Sequence, residues 1–313
     1  MGTNFLSLMK KLLFLCATSF TLATSQNTPT ISQAEVTRIE TELAADAMQG
    51  RKLFTPGIDK ASAFIEQEFA KIGLSYWGAL TNYRQEFQIR GKAANNVIGI
   101  LPGKSKPNEY VVFSAHYDHL GTEEGGSDTV YNGANDDASG VTAVIALANY
   151  YKTLNNNERT LIFVAFTAEE VGGFGSRYFS KNITADQVVA LFNIEMIGTE
   201  SKWGKNSCYI TGFEKSDFGT ILQRNLQGSP FQFHPDPYPS EQLFYRSDNA
   251  TLAALGVPAH TISTSKMDDE PNYHKLSDEV KTLDLANMTE VIKSIALSAQ
   301  SIVQGKDTPS RVK

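Results

Sequence analysis

Two apolar runs, VVFSA at residues 111–115 and TLIFVAF at 160–166, constrain the fold more than any other feature of the sequence. Each is a short block of β-branched, aromatic and small residues bounded by polar turns, the pattern of a strand covered on both faces. The first leads directly into His116, Asp118 and His119, and the second into Glu169 and Glu170. Between them, NGANDDASG sets Asp136 and Asp137 ahead of the helix-like VTAVIALANYYKTL. A third run, VVALFNI, ends on Glu195. An isolated buried charge is too unfavourable to keep, so these groups must be paired or used. In open α/β sheets, ligands sit beyond the carboxyl ends of the strands. Successive elements therefore bring His, Asp and Glu to one sheet edge, where a metal site is expected.

The rest of the chain fits a layered α/β arrangement. Ser32 with Glu35 three residues on reads as a capping box, and residues 58–72 place Ala61, Phe64, Ile65, Phe69 and Ile72 on one helical stripe closed by Gly73. Strands are expected at 83–89, 96–103, 208–213 and 257–265, and further helices at 215–226, 247–256 and 283–303. The Pro- and aromatic-rich stretch 227–245 reads as a lid or binding loop, and the polar tail after 303 as disordered. With no repeat and no linker, residues 26–313 are expected to form a single three-layer α/β/α domain around a mixed, mostly parallel sheet.

Residues 1–25 read as a secretory signal, with Lys10 and Lys11 ahead of LLFLCATSFTLA and small residues at Ala23, Thr24 and Ser25. The run is short for a membrane span, so a secreted or periplasmic protein without stable membrane insertion is expected. Beyond it only Cys208 remains, which excludes an intrachain disulfide. A net charge of −6 argues against nucleic acid as a partner.

Catalytic zinc takes His nitrogen and carboxylate oxygen and keeps a position for water. The chain has five histidines, of which His116 and His274 sit among carboxylates in strand-end or loop contexts. HxD at 116–118 and the Glu169–Glu170 pair are weak signals singly. The order HYD, GANDDASG, TAEE, NIEMIG, YHKLSDE is stronger. It resembles the secreted di-zinc aminopeptidase family, relatives of glutamate carboxypeptidase II and glutaminyl cyclase. The N-terminal AADAMQGRKLFTPGIDKASAFIEQEFAKIGL and the late SDNATLAALGVPA are similar too, extending the likeness over residues 35–300.

The resemblance implies a zinc-peptidase fold, a peptide substrate and two zinc ions. His116 and Glu195 would hold one ion, Glu170 and His274 the other, and Asp136 would bridge both. Glu169 would be the general base, Asp118 would orient His116 through its second nitrogen, and Tyr273 would help stabilise an oxyanion. Asp278 is a weaker supporting candidate. Two zincs about 3.5–4 Å apart would lower the pKa of a shared water and clamp a tetrahedral intermediate. Their charge would also let four neighbouring carboxylates stay ionised together.

Three positions depart from the family's pattern: Glu195 stands where many members have Asp, Asn249 where His is frequent, and His119 is additional. His119 is expected to bond neighbouring loop backbone, and His260 to be a satisfied core histidine. Asp137 is expected at a helix N-terminus. Tyr238, Phe244 and Tyr245 either wall a substrate pocket or belong to a surface loop. Two rival functions stand beside the aminopeptidase: a glutaminyl cyclase-like enzyme with one zinc, and a metal-free binding module.

Overall fold

The computed structural model describes residues 29–313; the expected signal at 1–25 lies outside them. Among the described residues ten strands occur: β1 (Arg84–Ile89), β2 (Lys92–Leu101), β3 (Lys106–His116), β4 (Gly121–Thr122), β5 (Val130–Tyr131), β6 (Arg159–Phe166), β7 (Val188–Ile194), β8 (Ser207–Ile210), β9 (Gln232–Pro235) and β10 (Ala259–Ser263). Eight form one sheet in the order β1-β2-β6-β3-β7-β10-β8-β9, while β4 and β5 pair separately. The central four, β6-β3-β7-β10, run parallel, with antiparallel pairings at β1-β2, β2-β6 and β10-β8. The expected α/β/α sandwich with a mixed sheet is therefore the fold.

Period-two alternation explains why the strands read as continuous apolar runs. Val111, Phe113, Ala115, Leu161, Phe163, Ala165, Phe192 and Ile194 face one layer. Val112, Ile162, Val164, Phe166 and Leu191 face the other. Phe163, Phe113 and Phe192 stack across adjacent strands, with centroids 5.6 and 4.9 Å apart, so each rung of the sheet is tied to the next.

The first layer is built from α1 (Gln33–Leu43), α2 (Pro56–Ile72), α3 (Ser139–Leu154) and α7 (Leu285–Ser298). The other includes α4 (Phe174–Lys181) and α6 (Asn249–Ala253). Further helical segments are α5 (Phe218–Asn225) and α8 (Gln300–Val303). Ser32 caps α1 by accepting from the Glu35 amide. Pro56 starts α2, and Gly73, at φ 76°, ends it.

The C-terminal tail corrects the expectation of disorder. Arg159 is buried and donates to the carbonyls of Ile302 and Asp307 and to the Thr308 hydroxyl. Arg311 donates to Val188 O, and the Val312 amide to Gly256 O. Backbone acceptors, invisible to a reading of side-chain polarity, hold the tail in place. Among the described residues no helix is long and apolar enough to cross a membrane.

Candidate metal centre

The carboxyl ends of the four parallel strands meet at one edge. His116 is the last residue of β3, Glu169 and Glu170 follow β6, Glu195 follows β7, and the segment after β10 returns with Tyr273 and His274. Three of these exits pass through non-glycine residues in the left-handed region: Ala168 (φ 59°), Met196 (φ 54°) and His274 (φ 56°). Such conformations cost about 1–3 kcal/mol each and persist where the surroundings over-determine them.

The loops are stitched by buried polar groups. Asp137 accepts from the amides of His116, Gly140 and Met196, so one carboxylate joins the ends of β3 and β7 to the start of α3. It is thus the helix-start residue expected, with two further partners. Gly140 has to be glycine, because a Cβ there would lie 2.2 Å from Ile194 O. Asp278 accepts from the amides of Asn135 and Asp136 at 2.8 and 3.0 Å, fixing the backbone that carries Asp136. Arg51, wholly buried, donates to the carbonyls of Leu43, Tyr117, Asn132 and Gly133. Nothing in the sequence singled out Arg51, because its partners are all main-chain oxygens.

At the centre stands Asp136. Its Oδ1 lies 3.2 Å from His116 Nε2, and its Oδ2 3.2 Å from His274 Nε2. Glu170 is 3.1 Å from His274 Nε2 through Oε2 and 2.8 Å from His119 Nδ1 through Oε1. His119 Nδ1 is also 3.9 Å from Asp136 Oδ2. The expectation that His119 bonds loop backbone through its ring is thus overturned. The ring turns inward because Gly133, at φ 56°, leaves room for it; a Cβ there would meet the imidazole at 2.6 Å. His119, Asp136 and Glu170 offer ligand atoms within 4.8 Å of one another.

Asp118 also acts differently from expectation. His116 Nδ1 is 3.1 Å from the Asp118 carbonyl oxygen and 3.9 Å from its carboxylate. The carboxylate instead accepts from the amides of Glu169 and Glu170 at 3.0 and 3.3 Å. It sets the turn that splits the two glutamates, while the backbone orients His116. Glu169 and Glu195 line the same cavity as Asp136, Glu170 and His274, but neither joins the ion pairs at the centre.

The electrostatics show what such an assembly needs. Burial pushes the Glu169 carboxyl up to about 10, partly opposed by His116 and reinforced by Glu195. Burial raises Glu195 as well, and takes Asp248 up to about 7. Burial would raise Asp136 too, but the flanking His116 and His274 hold it below the usual carboxylate range. His274 is carried up to about 10 by Asp136 and Glu170. Among the described residues, Asp136 Oδ2 and His119 Nε2 are buried without a hydrogen-bond partner. Nitrogen and oxygen atoms that converge this closely, some without hydrogen-bond alignment, fit a shared cation, and the N/O donor set suits zinc.

The sequence pattern of peptidase family M28 matches residues 96–299. The chain belongs to peptidase family M28. Among curated relatives, the aminopeptidase YwaD of Bacillus subtilis is 29% identical over 287 residues, covering 85% of this chain and 55% of that protein. A vacuolar membrane protease of Kluyveromyces lactis is 30% identical over 70% of this chain and 22% of its own length. A probable zinc metalloprotease of Pyrenophora tritici-repentis is 28% identical over 47% of this chain and 32% of its own length. The chain spans about a third or less of the first curated relatives it matches. Among solved structures, the zinc aminopeptidase BSAP of Bacillus subtilis superposes with a TM-score of 0.71 at 14% identity, over 90% of this chain and 98% of its own. The glutaminyl cyclase of Porphyromonas gingivalis gives 0.69 at 14% identity, over 88% and 100%. At such identities the likeness speaks for the fold alone.

In this M28 chain the cavity beside Asp136 is walled by Met196, Tyr209, Leu243, Met267 and Tyr273, with Arg246 also lining it. Tyr238, Phe244 and Tyr245 do not line it. Tyr238 packs edge-on against Tyr209, Phe244 is buried against His260, and Tyr245 is exposed. Of the two alternatives open for these three side chains, the pocket wall therefore does not hold, and Leu243 of the same segment lines the cavity instead. His260 bonds Thr211 O and Ser216 Oγ and is a satisfied core histidine, as expected. Asn249, where His is frequent in the pattern, is buried and bonds Phe244 O, Ala259 O and Thr261 Oγ1, which makes it structural.

Proposed function

We propose that the chain is a zinc-dependent aminopeptidase with two zinc ions at one site. The observation that carries this reading is Asp136, whose two oxygens face two different imidazoles at 3.2 Å while Glu169 stands in the same cavity outside the ion pairs. His116 and Glu195 would hold one ion, Glu170 and His274 the other, and Asp136 both; His119 would join the second set. Zinc bound there supplies a water of lowered pKa and a polarised scissile carbonyl.

The chain's own residues do the rest. Glu169 takes the proton of the attacking water and passes it to the leaving amine. Its high proton affinity comes from burial among carboxylates, and cations beside it bring that affinity down toward the working range. Asp118 aims Glu169 by holding its amide. Tyr273 stacks on His274 at 3.9 Å and keeps its proton because burial and neighbouring carboxylates raise its pKa. It donates to the oxygen that gains charge. Glu195 and its neighbours attract the free N-terminal ammonium. Residues 1–25 support export of the enzyme.

The test is elemental analysis combined with a panel of free and N-acetylated peptides, assayed with chelator and with zinc restored. Two zincs per chain, loss and recovery of activity, and slow cleavage of acetylated substrates uphold the reading. Equal rates on free and acetylated peptides would remove the aminopeptidase assignment. A second reading, a glutaminyl cyclase-like transferase with one zinc, draws on the tight His119, Asp136 and Glu170 group and on Glu195 standing outside the ion pairs. One zinc per chain together with cyclisation of N-terminal glutamine would decide for it.

A further inference from the structure

A second cavity, of about 410 Å³, shares only Glu170 with the acidic one. Asp118 and His119 also line it, so it adjoins the metal-type residues from another side. Apart from Asp118, His119 and Glu170, its walls are apolar with a basic margin. Phe54, Ile89, Leu120 and Val171 are among its walls, with Lys52 and Arg90 exposed at its margin. Phe54 and Val171 are 39% and 53% exposed, unusual for large apolar groups gathered in one cavity. The Lys92 ammonium lies 5.2 Å from the centre of the Phe54 ring. Among the described residues, the ion pairs leave Lys52, Arg90 and Lys92 without a carboxylate partner.

A short peptide is itself a dipole, ammonium at one end and carboxylate at the other. The acidic cavity favours the first, and the basic-rimmed apolar cavity favours the second. We propose that this second cavity binds the residue released as the amine product, takes an apolar or aromatic side chain there, and draws the free carboxylate of a dipeptide to Lys52 and Arg90. The proposal rests on the aminopeptidase reading. In cleavage of Leu-Phe the amide C–N bond breaks, water adds OH to the leucine acyl carbon, and phenylalanine leaves with the remaining proton on its amine.

The experiment compares kcat/KM for Leu-Phe, Leu-Gly and Leu-Phe-amide in the wild-type holoenzyme and in the Phe54→Ala and Lys52→Ala/Arg90→Ala variants. Leu-Phe is expected to exceed Leu-Gly by about 10-fold or more. Phe54→Ala should lower that ratio. Lys52→Ala/Arg90→Ala should bring the Leu-Phe to Leu-Phe-amide ratio toward unity. A Leu-Phe to Leu-Gly ratio within about two-fold of unity, or ratios unmoved by the variants, would overturn the proposal. If none of these substrates nor leucine amide is hydrolysed, it is the aminopeptidase reading that fails. Calorimetric binding of free phenylalanine and glycine then tests the cavity alone. Phenylalanine binding weakened by Phe54→Ala and by the double variant upholds it, and absence of phenylalanine binding overturns it.

Discussion

Replacing Glu40 by Gln should change how stability depends on pH. Glu40 lies on α1 and is fully buried; its Oε2 accepts from Thr142 Oγ1 at 2.8 Å, and its Oε1 has no partner. Burial pushes its carboxyl from an ordinary 4.5 up to about 8, opposed by the Thr142 hydrogen bond and by Arg51. Arg51 brings charge but no direct hydrogen bond, because its donors go to backbone carbonyls. The folded chain therefore holds this proton more tightly than the unfolded chain. The resulting stability is fully present below pH 4.5 and is lost as pH rises through about 8. The slope is roughly 1.4 kcal/mol per pH unit for one proton, or on the order of 5 kcal/mol over the window. Each kcal/mol corresponds to about 2–4 °C in Tm at this size. An unpartnered glutamine amide imposes its own penalty, but that penalty does not vary with pH. The assay is thermal unfolding of wild type and Glu40→Gln from pH 5 to 8 at one fixed zinc level, read as the difference between the two curves. Glu40→Gln should gain steadily on wild type as pH rises. Parallel curves would refute the claim that Glu40 is neutral in the native state.

Glu169→Gln should lower kcat by about 10²–10⁴-fold while leaving zinc content near that of wild type; substantial residual turnover would remove Glu169 as the base. His119→Ala should weaken zinc binding by about 10–100-fold, read by competition with a chelating dye; unchanged affinity would mean that its 2.8 Å approach to Glu170 has no bearing on the metal. Gly140→Ala should destabilise by about 1–3 kcal/mol and reduce metal occupancy, because a Cβ would collide with Ile194 O and with Asp137, which ties three site segments together. Chemical denaturation and elemental analysis read both effects.

The strands and the edge at which the site lies could be read directly from the chain. A strand buried on both faces has to be largely apolar, and a charge at its end has to be used, so VVFSA and TLIFVAF marked both the sheet and its functional rim. That His116, Asp136, Glu170 and His274 would gather at that edge was an expectation from the order of the motifs along the chain, and the four side chains do meet there. Pairing and direction were not legible. HYDHLG places His119 three residues after His116, but only the space left by Gly133 turns its ring toward Glu170. Asp118 looked like a partner for His116, yet the curve of the chain off β3 gives that role to its carbonyl and sends its carboxylate to two amides. Arg51, and most of the Arg159 contacts that dock the tail, bind main-chain oxygens, which every residue carries and no sequence pattern distinguishes. Side-chain chemistry determined what kind of site this chain builds. The close approach of backbones distant in sequence decided which atoms face one another there.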